Sequence, residues 1–205
     1  MLKPRKFLAL LVCVLLSGTA PAQDTQIVTV DGQKQMLANP GTELVGARNP
    51  DVVIVEYFDY NCPYCKQLVP ALRTLLADDP KVAVLYKEWP IFGGASVYAA
   101  SSALAAGYQG KYLAVHDALM GGPRLASNDQ VDAALQKAGV NMDVLKKDRL
   151  AHAKEIAGLL ERNDDEAHAL TLDGTPGLVV GRQLVPGVAD LRYLKQLVAN
   201  SRREK

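Results

Sequence analysis

Cysteine is scarce in this chain: three in 205 residues, at Cys13, Cys62 and Cys65. So low a density excludes a small scaffold stapled by several disulfides. Histidine is equally sparse; His116, His152 and His168 are scattered, and no second C-x-x-C or close His pair supplies the four ligands of a zinc finger. Neither sign of charge is in excess, with 23 basic against 22 acidic residues, so nothing suggests a nucleic-acid partner or a polybasic membrane surface. Long apolar runs are missing apart from Phe7–Leu16. At about ten residues, that run is too short to span roughly 30 Å of hydrocarbon. Repeats and low-complexity stretches are absent. What is left, 49% hydrophobic and 22% charged residues, is the composition of a packed globular chain. Its length allows one domain with an insertion, or two small ones.

The amino terminus reads as a targeting segment. Lys3, Arg5 and Lys6 precede the apolar run, and Ala20-Pro21-Ala22 places small residues where a signal peptidase cuts. Residues 1–22 are therefore expected to be a cleaved secretory signal, with cleavage near Ala22 and a periplasmic mature protein. An uncleaved anchor, or a lipid on Cys13, is the competing reading. Cleavage removes three basic and no acidic residues, leaving a net charge of −2, and leaves Cys62 and Cys65 as the remaining thiols. In an oxidising compartment two cysteines usually form a structural disulfide. A pair three apart closes almost no loop and so stabilises little. The spacing asks for a chemical explanation.

Along the chain, Gln26–Val30 reads as a short strand ended by the turn pair Asp31-Gly32, with loops at Asn39-Pro40-Gly41 and Asn49-Pro50-Asp51. Residues 52–58 are a β-branched and aromatic run, as in a buried central strand, and the cysteines follow at once. Pro63 suits the first position of a helix that Leu68, Val69, Leu72, Leu75 and Leu76 continue to Asp78. Residues 82–87 form a second strand. From residue 93 to 171 the texture is alanine-rich and helical, with pieces at 96–106, 111–120, 129–138, 142–149 and 151–170. Ser127 or Asn128 is expected to cap the third piece and Asn141 the fourth. A hairpin turning at Gly181-Arg182 and a last helix capped by Asp190 complete the chain. The expected fold is α/β, interrupted by an all-helical segment. Trp89-Pro90 closes the second strand, Gly93-Gly94 is a turn without a phosphate loop's lysine, and His116 is a packing or surface residue.

Cys62-Pro63-Tyr64-Cys65 sits where a buried strand becomes a helix. There the helix dipole and free amides favour a thiolate at Cys62, while Cys65, nearly a turn further in, is placed to resolve a mixed disulfide. Pro63 stiffens the turn, and Tyr64 can tune the thiolate and meet a partner. An inert disulfide and a zinc pair remain the structural alternatives.

Glu56-Tyr57-Phe58-Asp59-Tyr60-Asn61-Cys62-Pro63-Tyr64-Cys65-Lys66 resembles the active-site strand and helix of DsbA-like periplasmic oxidoreductases, most closely the branch called suppressor of copper sensitivity protein C. Gly174-Thr175-Pro176 before the late strand, and Gln183-Leu184-Val185-Pro186-Gly187 before the last helix, resemble the same family over about residues 40–200. The resemblance implies a thioredoxin fold, a central mixed sheet flanked by helices, with first part 23–92, helical insertion 93–171 and second part 172–205. It implies a cis Pro176 facing the cysteines, with the Thr175 backbone pairing a substrate strand; an ordinary strand-entry proline is the alternative. It also places an acidic residue at Glu56, where a buried carboxylate could relay the Cys65 proton, against an edge-facing glutamate. Gly177 departs from the family's more usual alanine. Only about thirty residues separate the signal from the first strong strand, so the helical extension that trimerises some relatives is not expected, and a monomer is.

The reading that follows is an enzyme exchanging disulfides with exported cysteine-containing proteins. It needs no cofactor beyond a redox-active Cys62–Cys65 disulfide and no metal. Its recycling partner would be a membrane protein of the DsbB or DsbD type. The direction, oxidase or isomerase and reductase, stays open. A Cu(I) carrier or copper-tolerance protein using the same thiols is the alternative, although Met36, Met120 and Met142 form no cluster. A glutathione-linked reductase draws only on Cys-Pro-Tyr-Cys.

Overall fold

A computed structural model describes residues 26–38, 42 and 44–204. The expected signal segment, Cys13 and the loop at Asn39-Pro40-Gly41 lie outside the described residues. Among those described, six strands form one sheet and eight helices surround it. The elements run β1 (Gln26–Ile27), α1 (Val30–Ala38), β2 (Val45–Gly46), β3 (Val52–Phe58), α2 (Pro63–Asp78) and β4 (Val82–Glu88). Five helices follow: α3 (Gly94–Gly107), α4 (Tyr112–Gly121), α5 (Asn128–Lys137), α6 (Met142–Ala151) and α7 (Ala153–Ala169). β5 (Gly177–Val180), β6 (Gln183–Pro186) and α8 (Leu191–Arg203) close the chain. No helix among the described residues is long and apolar enough to cross a membrane.

Strand order is β1-β6-β5-β3-β4-β2, with β3 parallel to β4 and every other pair antiparallel. β3 and β4 lie at the centre and are buried almost throughout, which is why both read as continuous apolar runs rather than alternating ones. Pleating sends alternate side chains to opposite faces. Val52, Ile54 and Phe58 enter the larger core with α2, α8 and the helical block. Val55 and Tyr57 enter a smaller core that Met36 of α1 and Ala167 of α7 help to form. The Tyr57 hydroxyl donates to Glu166 at 2.8 Å and Trp89 Nε1 donates to Asp164 at 2.8 Å, fastening α7 to that face. Trp89 is buried, as its place after the second strand implied.

The helix caps follow the expected chemistry. Ser127 accepts from the Gln130 amide, Asn141 from Asp143 and Val144, and Asp190 from Tyr193. The hairpin turns at Gly181, whose φ of 59° is followed by a negative φ at Arg182, as a type II′ turn requires. One expectation fails. The strand at 26–30 stops at Ile27, and Asp31-Gly32 lies inside α1 rather than in a turn. The reason is local capping plus burial: the Thr29 hydroxyl accepts from the Gly32 amide at 3.1 Å, the Thr29 carbonyl accepts from Gln33, and Met36 packs into the smaller core. Those gains outweigh the turn preference of Asp-Gly. α1 and the edge strand β2 were not legible beforehand.

Candidate active site

β3 delivers the chain to the site. Its end, residues 59–61, is a loop held by side chains. Asp59 accepts from the Asn61 amide and from Ser96 Oγ, both at 2.7 Å, and from the Phe92 amide at 2.9 Å. Asn61 accepts from the Leu125 amide at 2.7 Å and donates to the Leu125 carbonyl at 3.0 Å. Besides the bond within the loop, these contacts tie it to the segment entering α3, to Ser96 of α3 and to the segment before α5, so the helical block helps to set its shape. Sequence reasoning quoted Asp59 and Asn61 only within a motif; polar residues ending an apolar strand are the signal that could have singled them out.

Cys62 occupies the N-cap of α2 in an extended conformation, with Pro63 opening the helix. The first amides of a helix lack internal partners and attract negative charge. Here the amides of Tyr64 and Cys65 favour the Cys62 thiolate, after the larger effect of the Cys65 side chain and together with Thr175, and the pKa falls to about 6. The Cys62 Sγ lies 3.1 Å from the Thr175 carbonyl oxygen, and the Thr175 hydroxyl is buried without another partner. The Thr175-Pro176 peptide is cis, and the loop rests on β6 through the Gly187 amide, 2.8 Å from the Pro176 carbonyl.

Cys65 is fully buried, and both cysteines are free thiols. Burial, the bond to Cys62 and the charge of Glu56 push its thiol far above the usual range. Two thiols three residues apart are thus poised oppositely, one ready to ionise and one held protonated. Glu56 is buried rather than edge-facing, and its Oε1 has no hydrogen-bond partner among the described residues. Burial, and secondarily the charge of Cys62, raise it to about 8, so it holds or gives up a proton close to neutral pH. In register beside it are Tyr86 on β4 and Leu178 on β5.

Lys66 also went unnoticed in the sequence as anything but part of the motif. Its ammonium donates to the carbonyls of Leu119, Met120 and Gly122 at 2.6, 3.3 and 3.0 Å, capping the end of α4 from the first turn of α2. Gly177 has a reason in the packing: a Cβ there would stand 2.4 Å from Leu172 Cδ1, so Leu172 fills the space an alanine would need. His116 is in the core, its ring 4.0 Å from that of Tyr86 and its Nδ1 3.4 Å from the Tyr60 hydroxyl. His152 stands between α6 and α7, and His168 lies near the end of α7. Among the described residues no three His, Cys, Asp or Glu side chains are placed to hold a metal ion.

Known proteins resemble this chain. The family model of the DSBA-like thioredoxin domain matches residues 53–199. A thioredoxin-like oxidoreductase from Silicibacter pomeroyi is 36% identical, with a TM-score of 0.79 over 86% of this chain and 99% of that one. The catalytic domain of Proteus mirabilis ScsC is 26% identical, with a TM-score of 0.69 over 83% of this chain and 97% of that one. Among curated proteins, the Na(+)/H(+) antiporter NhaA 3 of Salinispora tropica is 29% identical over 163 residues. The chain spans about a quarter of that antiporter's length. With a cis-proline loop against a C-x-x-C helix start, and a family model covering most of its length, the chain belongs to the DSBA-like thioredoxin domain family.

Proposed function

We propose that the protein is an exported, periplasmic enzyme that exchanges disulfides with cysteine-containing proteins through Cys62 and Cys65. The observation that carries this reading is the opposed poise of the two thiols, Cys62 lowered to about 6 and Cys65 raised. At pH 7 a thiol with such a pKa is roughly nine-tenths thiolate, and the thiolate is the nucleophile.

In the reducing direction, the Cys62 thiolate attacks a substrate disulfide. A Cys62–substrate S–S bond forms, and the other substrate sulfur leaves as a thiolate. Cys65 then gives its proton to Glu56 in the fraction of molecules where that carboxyl is ionised, and attacks Cys62 Sγ, expelling the second substrate thiolate and closing the Cys62–Cys65 disulfide. The substrate gains two electrons and the pair loses them; the reverse sequence donates a disulfide. The reduction potential of the pair sets which direction runs, and with it whether a DsbB-type or DsbD-type membrane partner recycles the enzyme.

Substrate recognition draws on the Thr175-Pro176 loop, whose backbone would pair an extended segment. It also draws on exposed apolar side chains carried by the same segments: Tyr64 at 60% exposure between the cysteines, Phe92 beyond the Asp59 clamp, and Val188 beside Gly187. Such a rim suits unfolded chains, which expose apolar residues next to their cysteines. Cu(I) carriage gains nothing from the methionines, because Met36 and Met120 are buried in cores on opposite faces of the sheet.

The test is a Cys65→Ala variant expressed with its export signal. It should accumulate mixed disulfides with exported proteins through Cys62, released by reductant. A variant that traps nothing through Cys62 ends the proposal.

A further inference from the structure

The residues on either side of the C-x-x-C motif hold one short piece of the helical block. Before Cys62, the Asn61 side chain accepts from the Leu125 amide at 2.7 Å and donates to the Leu125 carbonyl at 3.0 Å. After Cys65, the Lys66 ammonium donates to the Gly122 carbonyl at 3.0 Å, along with those of Leu119 and Met120 at the end of α4. Leu125 also buries its side chain in the larger core. Between these anchors stand Pro123 and Arg124, both exposed. Pro123 has a fixed φ and no amide hydrogen, which stiffens so short a bridge. Consecutive Cα atoms are about 3.8 Å apart. Arg124 is one such step from Leu125, which is bonded to Asn61, and Asn61 is one step from Cys62.

No hydrogen bond or ion pair engages the Arg124 guanidinium among the described residues. Other charges nearby are spoken for. Lys66 spends its donors on the three carbonyls, and Asp59 is buried and accepts from the Asn61 and Phe92 amides and from Ser96. Arg73 pairs with Asp117 at 2.8 Å. Asp129, on the first turn of α5, is the acid closest to Arg124 in sequence and makes no ion pair with it. On the cis-proline side the exposed acid is Asp173, two residues before Thr175. The rim around the cysteines is therefore asymmetric in charge, with a free guanidinium on the helical-block side and a carboxylate on the other. A guanidinium is weakly hydrated, and its planar fork of donors matches a carboxylate.

We propose that Arg124 determines substrate choice by receiving the carboxylate of an Asp or Glu next to the cysteine that reacts with Cys62, and that Asn61 and Lys66 hold it there. The inference rests on the exchange function proposed above and names the substrate class of that site. Arg124 takes no part in bond making. It steers an acidic segment onto Cys62 with the carboxylate toward the end of α4 and away from Asp173. An exposed pair of this kind is worth a few-fold in affinity and weakens as salt rises.

The experiment uses the reduced protein and two single-cysteine peptides that differ in one residue, Glu or Gln, beside the cysteine. Each peptide carries a thiopyridyl disulfide. The Cys62 thiolate attacks the peptide sulfur, a Cys62–peptide bond forms, and pyridinethione leaves with the electron pair and is read by its absorbance. The wild type should react about three to five times faster with the Glu peptide at low salt, and the ratio should approach one near 1 M salt. Arg124→Gln should bring the ratio to about one at low salt, Arg124→Lys should keep part of it, and Lys66→Met should lower it with Arg124 intact. A wild-type ratio of one, or a ratio unchanged in Arg124→Gln, overturns the proposal. Equal slowing of both peptides in Arg124→Gln marks a structural effect and overturns it too. A ratio kept in Lys66→Met but lost in Arg124→Gln overturns the positioning role of Lys66 and leaves Arg124 standing. Failure of the wild type to form a Cys62 adduct with either peptide overturns the exchange function itself.

Discussion

The sulfur of Cys62 lies 3.1 Å from the backbone carbonyl of Thr175, a residue 113 positions further along the chain. That contact joins the start of α2 to the loop before β5 across the reactive group. It places the Thr175 hydroxyl, which has no other partner, where it favours the Cys62 thiolate.

Thr175→Val keeps the branched shape and removes that hydroxyl. Thiolate absorbance in the wild type should titrate with a midpoint near 6, and in the variant the midpoint should rise, by up to about one unit. An unmoved midpoint would show that the hydroxyl plays no part.

Glu56 keeps its proton in the folded protein up to about 8, whereas the unfolded chain loses it near 4.5. Between those values the native state binds more protons than the unfolded one, so stability declines as pH rises through that window and the contribution is gone above it. Glu56→Gln should flatten this decline, recovering on the order of a few kcal/mol at pH 8 relative to pH 5. Urea unfolding at the two pH values measures it; parallel curves for variant and wild type would refute the assignment.

Asn61→Ala leaves the amide and carbonyl of Leu125 unpaired in a buried place. Each orphaned group costs about 1–3 kcal/mol, so the loss for the two should reach roughly 2–6 kcal/mol in thermal unfolding. A cost under about 0.5 kcal/mol would mean that water replaces the side chain.

Gly177→Ala forces a methyl group into Leu172 and should destabilise by about 1–3 kcal/mol. Leu172→Ala in the same chain should recover part of that loss, a coupling that a double-mutant cycle reads directly. Strict additivity of the two changes would count against the steric explanation.

Much of this protein was legible in its sequence, because the features concerned are local. An unbroken β-branched run announces a central strand, Pro63 after Cys62 announces a helix start, and the spacing of Cys62 and Cys65 announces exchange chemistry. The caps at Ser127, Asn141 and Asp190 could be named because a side chain three positions from an amide decides them. The start of the described chain misled, since Asp31-Gly32 has a turn's composition and only Thr29 and the buried Met36 make it helical.

By itself, the sequence determined the order of most elements, the reactive pair and the direction in which a helix dipole acts on it. The tertiary structure decided what surrounds that pair. It decided that Glu56 and Glu88 are sealed in, that Thr175 meets Cys62, and that Asp59, Asn61 and Lys66 lash the active-site loop and helix to the helical block. Dielectric environment and long-range contact depend on which distant segments pack together, and no local pattern encodes that.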